Sequence, residues 1–300
     1  MDNQVPSPIT AEAVTRTLLD EIYKALGLRT SFPLRAIPDF FLRIPIHRFS
    51  EICYGLDHRI ASEGISRGAQ WTLTQLVERV HYHGQETIPH QGPVLVVSNH
   101  PGASDSVCVT AGLSRDDLKI IASEVPFYRT LPEISAHFIY TTNDQHTRMT
   151  SFRNSLRHLR NGGALLLFAT GKIDPDPLEM PGAESELDLW SESINIFLQM
   201  MPDLPVVLSI TSGVVSRKFA THPIMRLRQR PIDKRRLAEF LQTLVQMITG
   251  SKFDLQPYVT FSQPYTLRDI HTIYPGQQPV HALIAEAKKL LKFNLETYPS

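Results

Sequence analysis

The sequence predicts an α/β fold in which helices flank a mostly parallel β-sheet. Two observations support this prediction. Apolar runs of strand length occur at 94–97 and 164–168, and a third at 205–210 contains a single polar residue, Ser209. Strands that are apolar on both faces are typical of a parallel sheet covered by helices on its two sides. Helical stretches separate these runs, as the crossover connections between parallel strands require.

The elements follow one another along the chain in a way that fits this fold. Strands are expected at Arg79–His83, Val94–Val97, Leu118–Ala122, Phe138–Thr141, Ala164–Phe168, Pro205–Ile210 and Tyr258–Ser262. Helices are expected at Ala103–Leu113, Arg148–Arg160, Asp233–Ile248 and Pro279–Leu295, where apolar residues recur at helical spacing or the residues are small and helix-compatible. These elements are expected to form an α/β domain over residues 80–300.

Residues 1–79 are expected to form a helical extension ahead of this domain. A polar tail over 1–9 precedes helical patterns at 10–26, 50–63 and 66–78. The segment 33–49 lies between them and mixes large apolar side chains with cations and no compensating Glu. This composition suits peripheral contact with lipid headgroups. The alternative is that its apolar residues, Phe40, Phe41 and Ile44, pack on the α/β domain.

Composition narrows the class of protein. Of 300 residues, 42% are hydrophobic and 20% are charged, which is ordinary for a globular chain large enough to bury a full core. Thirty basic and 30 acidic residues give zero formal charge, so no general attraction to nucleic acid is expected. Cys53 and Cys108 provide no disulfide framework, which favours a cytoplasmic location. No apolar run is long enough to span a bilayer, so membrane contact is expected only at the surface.

Chemistry-bearing residues follow the first buried strand. Asn99, His100 and Asp105 stand around Pro101 and Gly102, which favour a sharp turn into the next helix. A His and an Asp five positions apart do not share a helix face, but a turn between them brings the carboxylate to the imidazole. Such a carboxylate fixes the tautomer of the ring and stabilises its cation, as a general base requires. Asn99 is expected to hold the turn or to donate a hydrogen bond.

The order of strand, Asn-His, four residues, Asp and helix resembles the signature of the glycerolipid acyltransferase family, the lysophosphatidic acid acyltransferase-like enzymes. The resemblance extends from about Gln91 to Gly213. It implies transfer of a fatty acyl group from acyl-CoA or acyl carrier protein to a hydroxyl of a lysolipid or similar acceptor. His100 would be the general base and Asp105 would orient it. No cofactor beyond the acyl donor, and no metal, is implied.

The chain departs from the family pattern where that pattern binds phosphate. The Glu and Arg of the third family block are replaced by Thr170 and Ile173, and the Arg of the second block by Thr142. A guanidinium binds phosphate by two parallel hydrogen bonds, which neither replacement supplies. Besides Asn99, the expected substrate-binding residues are therefore Thr170, Gly171, Lys172 and Arg148, with Arg129, Arg217 and Lys218 as further cations. We expect the acceptor to differ from ordinary lysophosphatidic acid, or its headgroup to be bound by other residues than in the family.

Two other functions compete with acyl transfer. Ser104 beside Asp105 invites a serine-hydrolase interpretation, but a nucleophile elbow reads Gly-x-Ser-x-Gly, and Ser104 is better explained as a helix N-cap. A catalytically inert lipid-binding relative is the second alternative, suggested by the altered third block. His81 and His83 alternate on a short strand without a third ligand at suitable spacing, so a metal site there is not expected.

Overall fold

The computed structural model describes residues 36–123, 125–142 and 144–298. The predicted tail over 1–9 and the predicted helix over 10–26 lie outside these residues. Among the helices described, none combines the length and the apolar composition needed to cross a bilayer.

The described strands form one seven-stranded sheet. In chain order they are β1 (His81–His83), β2 (Val94–Ser98), β3 (Lys119–Ser123), β4 (Phe138–Thr141), β5 (Ala164–Phe168), β6 (Val206–Ser212) and β7 (Tyr258–Phe261). Their order across the sheet is β1-β7-β6-β2-β5-β3-β4. Every neighbouring pair is parallel except β6 and β7, which are antiparallel. The predicted fold class is therefore confirmed.

Helices cover both faces of this sheet. They are α1 (Ala36–Glu63), α2 (Ile65–Leu76), α3 (Ala103–Leu113), α4 (Pro132–Ala136), α5 (Gln145–Arg160), α6 (Ala183–Leu187), α7 (Ser193–Met200), α8 (Arg217–Ala220), α9 (Pro231–Thr249), α10 (Leu267–Ile273) and α11 (Pro279–Thr297). Short 3-10 turns occur at Gln85–Thr87, Pro126–Thr130 and Pro223–Leu227. The stretch between β6 and α9 thus contains one short helix, α8, and one 3-10 turn.

The central strand β2 explains why an uninterrupted apolar run marks a strand here. Val94 and Val96 pack into a hydrophobic cluster on one face of the sheet, and Leu95 and Val97 into a second cluster on the other face. All four side chains are fully buried. Because successive strand residues point to opposite faces, a strand buried on both sides favours apolar residues at successive positions.

The described part of the N-terminal extension packs directly on the α/β domain. Ile60 of α1 and Ile65, Ala69 and Leu73 of α2 belong to the same hydrophobic cluster as Val96 of β2. The two regions therefore share a hydrophobic core. The domain boundary between residues 79 and 80 stays a prediction.

Helix α1 begins earlier than the sequence predicts. It runs from Ala36 through Pro45 as one helix, although the proline removes one backbone donor from its interior. Ile44 is 63% exposed, so it does not pack on the α/β domain as the alternative interpretation required. The side chains of Phe40 and Phe41 lie outside the part of the chain that the structure describes. Arg48 donates hydrogen bonds of 2.8 and 3.0 Å to the carbonyl oxygens of Met247 and Ile248, which ties α1 to the end of α9.

Candidate active site

The predicted contact between His100 and Asp105 is present. His100 follows the carboxyl end of β2, and Asp105 lies in the first turn of α3. The Nδ1 atom of His100 is 2.8 Å from Oδ2 and 3.1 Å from Oδ1 of Asp105. In an α/β sheet, ligands bind outside the carboxyl ends of the strands, and the His100 turn lies at that edge.

Asp105 is fully buried and also shapes the turn that precedes it. Its Oδ2 accepts a hydrogen bond from the backbone N–H of Gly102 at 3.2 Å. Gly102 is the N-cap of α3, and Asp105 is the third residue of the helix. The prediction that Ser104 is the N-cap is therefore wrong. The helix starts one residue before Ser104, and a carboxylate does the capping.

The imidazole of His100 has one nitrogen engaged and one available. Nδ1 faces Asp105, and no described residue forms a hydrogen bond with Nε2. The ring stacks on Phe168 at the end of β5, with centroids 4.4 Å apart. The His100 side chain is 25% exposed, whereas that of Asp105 is 0% exposed. This arrangement presents Nε2 as the atom that a substrate hydroxyl can reach.

Asp174 holds the backbone of His100, and sequence analysis missed it. The backbone N–H of His100 donates to Oδ2 of Asp174 at 2.8 Å, and the N–H of Asp174 donates back to the carbonyl of His100 at 2.7 Å. Oδ1 of Asp174 accepts a hydrogen bond of 2.7 Å from the hydroxyl of Thr170. The two residues thus clamp one another through two hydrogen bonds. Asp174 stands between Ile173 and Pro175, where the sequence shows no helical or strand periodicity that would have marked it.

Two further side chains fix the loops around the turn. Asn99 bonds both backbone groups of Thr211 on β6, at 2.9 and 2.8 Å. Both polar atoms of its side chain are thus engaged with the backbone of β6, as the first of the two roles expected for it requires. The fully buried carboxylate of Asp176, also missed, accepts hydrogen bonds from four backbone N–H groups. These belong to Leu178, Gly213, Val214 and Val215.

Charged neighbours set the protonation of His100. Burial lowers the pKa of the imidazole, but the charge and hydrogen bond of Asp105 outweigh that effect, and the pKa rises to about 9. Glu239 and Asp174 act in the same direction. Burial raises the pKa of Asp174 to about 6, although its hydrogen bonds from Thr170 and from His100 oppose the shift. The charges that act on His100 here are all carboxylates.

The other predicted binding residues are placed as follows. Thr170 is half-buried and engaged with Asp174, while Gly171 and Lys172 are exposed on the turn after β5. Arg148 is exposed in the first turn of α5. Arg129 lies over the ring of Tyr140, with its Cζ 4.6 Å from the ring centroid. Arg217 and Lys218 are exposed on α8. No hydrogen bond or salt bridge joins these cations to His100.

An apolar cavity of about 300 Å³ adjoins the His100 turn. Gly102 and Ser104 of the turn line one part of it, and Glu239 of α9 lines it beside them. Oε1 of Glu239 lies 3.6 Å from the point at which a Cβ on Gly102 would stand. The rest of the wall comes mainly from apolar residues of the two N-terminal helices and of the sheet, including Phe49, Leu56, Ile60, Ala69, Ile120 and Phe138.

Two of three comparisons with known proteins return a match. The acyltransferase family model matches residues 79–209. A search of curated proteins finds no significant match. Among solved structures, the chain is similar to the crystal structure of the 1-acyl-sn-glycerophosphate (LPA) acyltransferase PlsC from Thermotoga maritima, with 14% identity, a TM-score of 0.48, and coverage of 97% of this chain and 98% of that one. Both values are too low to inform the choice of substrate. The matched residues, 79–209, contain β2, the His100 turn and β5.

Proposed function

We propose that this protein transfers a fatty acyl group from an acyl thioester to a hydroxyl group of a glycerolipid-like acceptor. The observation that carries the proposal is the His100–Asp105 pair, held at the carboxyl edge of the sheet beside an apolar cavity. The donor is acyl-CoA or acyl carrier protein, and no other cofactor takes part.

The proposed reaction uses His100 twice. Nε2 accepts the proton of the acceptor hydroxyl while the oxygen attacks the thioester carbonyl carbon. The tetrahedral intermediate then collapses, the carbon–sulfur bond breaks, and the thiolate takes the proton from Nε2. Asp105 keeps Nδ1 protonated and stabilises the imidazolium during the step. Backbone N–H groups near Gly171 and at the start of α3 are the proposed donors to the oxyanion.

The cavity supports a long acyl chain as the transferred group. Its size falls at the lower end of ligand pockets, and its lining is mostly apolar with a few polar groups near the turn. Glu239 and Ser104 mark the end near His100, and apolar side chains make up most of the remaining wall. A thioester carbonyl at His100 would therefore leave its hydrocarbon tail in apolar surroundings, which favours binding.

The charges around His100 support an acceptor without a phosphate next to the reacting hydroxyl. Asp174 and Glu239 place negative charge near the imidazole in addition to Asp105. The positions of the two family arginines hold Thr142 and Ile173. A phosphate close to His100 would meet repulsion without a bidentate guanidinium to offset it.

Thiol release measured against a panel of acceptors tests the proposal. The panel contains glycerol 3-phosphate, lysophosphatidic acid, other lysophospholipids and phosphate-free hydroxyl or amine acceptors, each with acyl-CoA and with acyl carrier protein. We expect acceptor-dependent release that disappears in His100→Ala. Efficient acylation of lysophosphatidic acid would show that our expectation for the acceptor is wrong.

The hydrolase alternative receives no support from the geometry. Ser104 forms no hydrogen bond with His100, and its position in the first turn of α3 needs no strained elbow. Ser104→Ala is therefore expected to retain turnover. The inert lipid binder is tested in the same assay, because a folded chain that binds lipid but releases no thiol with any acceptor would establish it.

A further inference from the structure

A local concentration of positive charge follows β6. Of the 30 Lys and Arg residues in the chain, eight fall between positions 217 and 236, together with a single acidic residue. The eight are Arg217, Lys218, Arg226, Arg228, Arg230, Lys234, Arg235 and Arg236. We call this segment, from α8 to the first turns of α9, the basic segment. Because the whole chain is neutral, this positive charge is local to one segment.

Most of these cations face solvent and form no salt bridge with a described residue. Arg230 pairs with Asp233 at 2.7 Å, and Arg235 pairs with Glu186 at 3.0 Å. The other six form no salt bridge with any residue that the structure describes, and all of them except Arg228 are exposed. Surface cations left in this way attract a polyanion.

Leu227 lies in the middle of these charges. Its side chain is 77% exposed, more than any other large apolar side chain among the described residues. It ends the 3-10 turn Pro223–Leu227 and stands between Arg226 and Arg228, while Met225 in the same turn is buried and anchors it. An apolar side chain with flanking cations is typical of a segment that enters the headgroup layer of a membrane.

The basic segment adjoins the active site. Arg235 donates a hydrogen bond of 3.0 Å to the carbonyl of Ile173, the residue before Asp174. One turn further along α9, Glu239 lines the cavity beside Gly102. A surface bound to the basic segment would therefore lie close to the place where the substrates must enter.

We propose that the basic segment binds the surface of a membrane that contains anionic lipids, with Leu227 inserted among the headgroups and the surrounding cations near the lipid phosphates. This inference rests on the proposed function and adds where the lipid-borne acceptor reaches the site. A single protruding leucine fits a deformable headgroup layer. A folded acidic protein would instead need a broader apolar patch on this surface, complementary to an apolar patch on that partner.

Vesicle sedimentation tests the proposal without requiring turnover. The full chain carrying His100→Ala is mixed with vesicles of phosphatidylcholine alone or of phosphatidylcholine with an equal share of phosphatidylglycerol. We expect binding to the anionic vesicles that weakens with salt. The double variant Arg226→Gln/Arg228→Gln should bind about 30-fold more weakly, because each cation near an anionic surface contributes about 1 kcal/mol. Leu227→Gln should also weaken binding, and it should do so at high salt as well.

A matched control removes the same charge elsewhere. Arg153 and Arg157 are exposed on α5, so Arg153→Gln/Arg157→Gln changes the net charge equally and should leave binding near the parent value. Equal weakening by both double variants would overturn the proposal in favour of a general charge effect. Binding that survives Arg226→Gln/Arg228→Gln but is lost in Arg43→Gln would assign the contact to the segment 33–49 instead. The same double variant is also made in the chain that keeps His100. If Arg226→Gln/Arg228→Gln raises the KM for acyl carrier protein there and leaves vesicle binding unchanged, the basic segment binds that carrier instead of a membrane.

Discussion

The Nδ1 atom of His100 and the Oδ2 atom of Asp105 are 2.8 Å apart, and this contact determines how activity should depend on pH. The pKa of His100 is raised from 6.5 to about 9, so the free imidazole is mostly cationic at neutral pH and cannot accept a proton. We predict that kcat/KM rises with pH and levels off above about 9, since this parameter reports the pKa of the free enzyme.

Asp105→Asn should move this inflection to lower pH, because it removes the charge that raises the pKa of His100. The activity at the plateau should fall as well, since the neutral amide stabilises the imidazolium less. A pH profile of thiol release in both proteins checks the prediction. An unchanged inflection would show that another group titrates. His100→Ala should lower kcat by about 10²- to 10⁴-fold at the high-pH plateau, where the imidazole of the parent protein is neutral.

Asp174→Ala should damage the active site through the backbone of His100. The substitution leaves the N–H of His100 without its acceptor, and an unsatisfied buried donor costs about 1–3 kcal/mol. We expect a lower kcat with a smaller change in KM, together with a lower free energy of unfolding in urea. Asp188→Ala is the control, because the side chain of Asp188 is exposed and forms a surface ion pair with Lys288. Equal losses in the two variants would contradict a positioning role for Asp174.

Asp176→Ala should destabilise the protein by about 2–4 kcal/mol, because it removes one buried carboxylate and orphans four backbone donors. The affected loop includes Val214 and Val215, which line the cavity. The midpoint of urea unfolding is the measurement. Hydrogen exchange at the amides of 213–215 should also accelerate, and retained protection there would show that the carboxylate does not hold this loop.

Arg115 is a structural cation whose replacement by Lys should not be tolerated well. It is 4% exposed, binds both oxygens of Asp117 at 2.7 Å, and donates to the carbonyls of Pro89, Gly92 and Gly162. A lysine provides a point charge without this planar geometry. We expect Arg115→Lys to lower the free energy of unfolding by about 2 kcal/mol. Arg153→Lys on exposed α5 should change it by less than about 0.5 kcal/mol.

Ala69→Leu tests whether the cavity holds the acyl chain. Ala69 is 3% exposed and lines the cavity from α2, so the larger side chain fills part of it. We predict that kcat/KM falls more for long acyl donors than for short ones. Ala61→Leu, at an exposed position of α1, should leave the ratio of kcat/KM for long donors to kcat/KM for short donors unchanged. A proportional fall for all chain lengths would place the acyl chain elsewhere.

The sequence predicts the parts of this protein that depend on local patterns. The central strands β2 and β5 are recognisable because four or more successive residues in each are apolar. The His100–Asp105 contact is recognisable because both residues lie within one turn. Asp174 and Asp176 escaped prediction since they stand in a proline-rich loop, and their partners are brought to them by the sheet. The antiparallel entry of β7 beside β6 depends likewise on long-range pairing. The N-cap prediction failed because propensity favours Ser104 while Gly102 holds the position.

The anchors of the His100 turn also determine when the site is able to form during folding. His100 is held by a carboxylate 74 residues later in the chain, and Asn99 by a strand 112 residues later. The turn therefore gains its final geometry only after β5 and β6 have joined β2. A chain still being synthesised, with β6 not yet paired, has the histidine and the aspartate without the framework that aligns them. Enzymatic activity should accordingly appear late in folding and in a single step, when β5 and β6 have paired with β2.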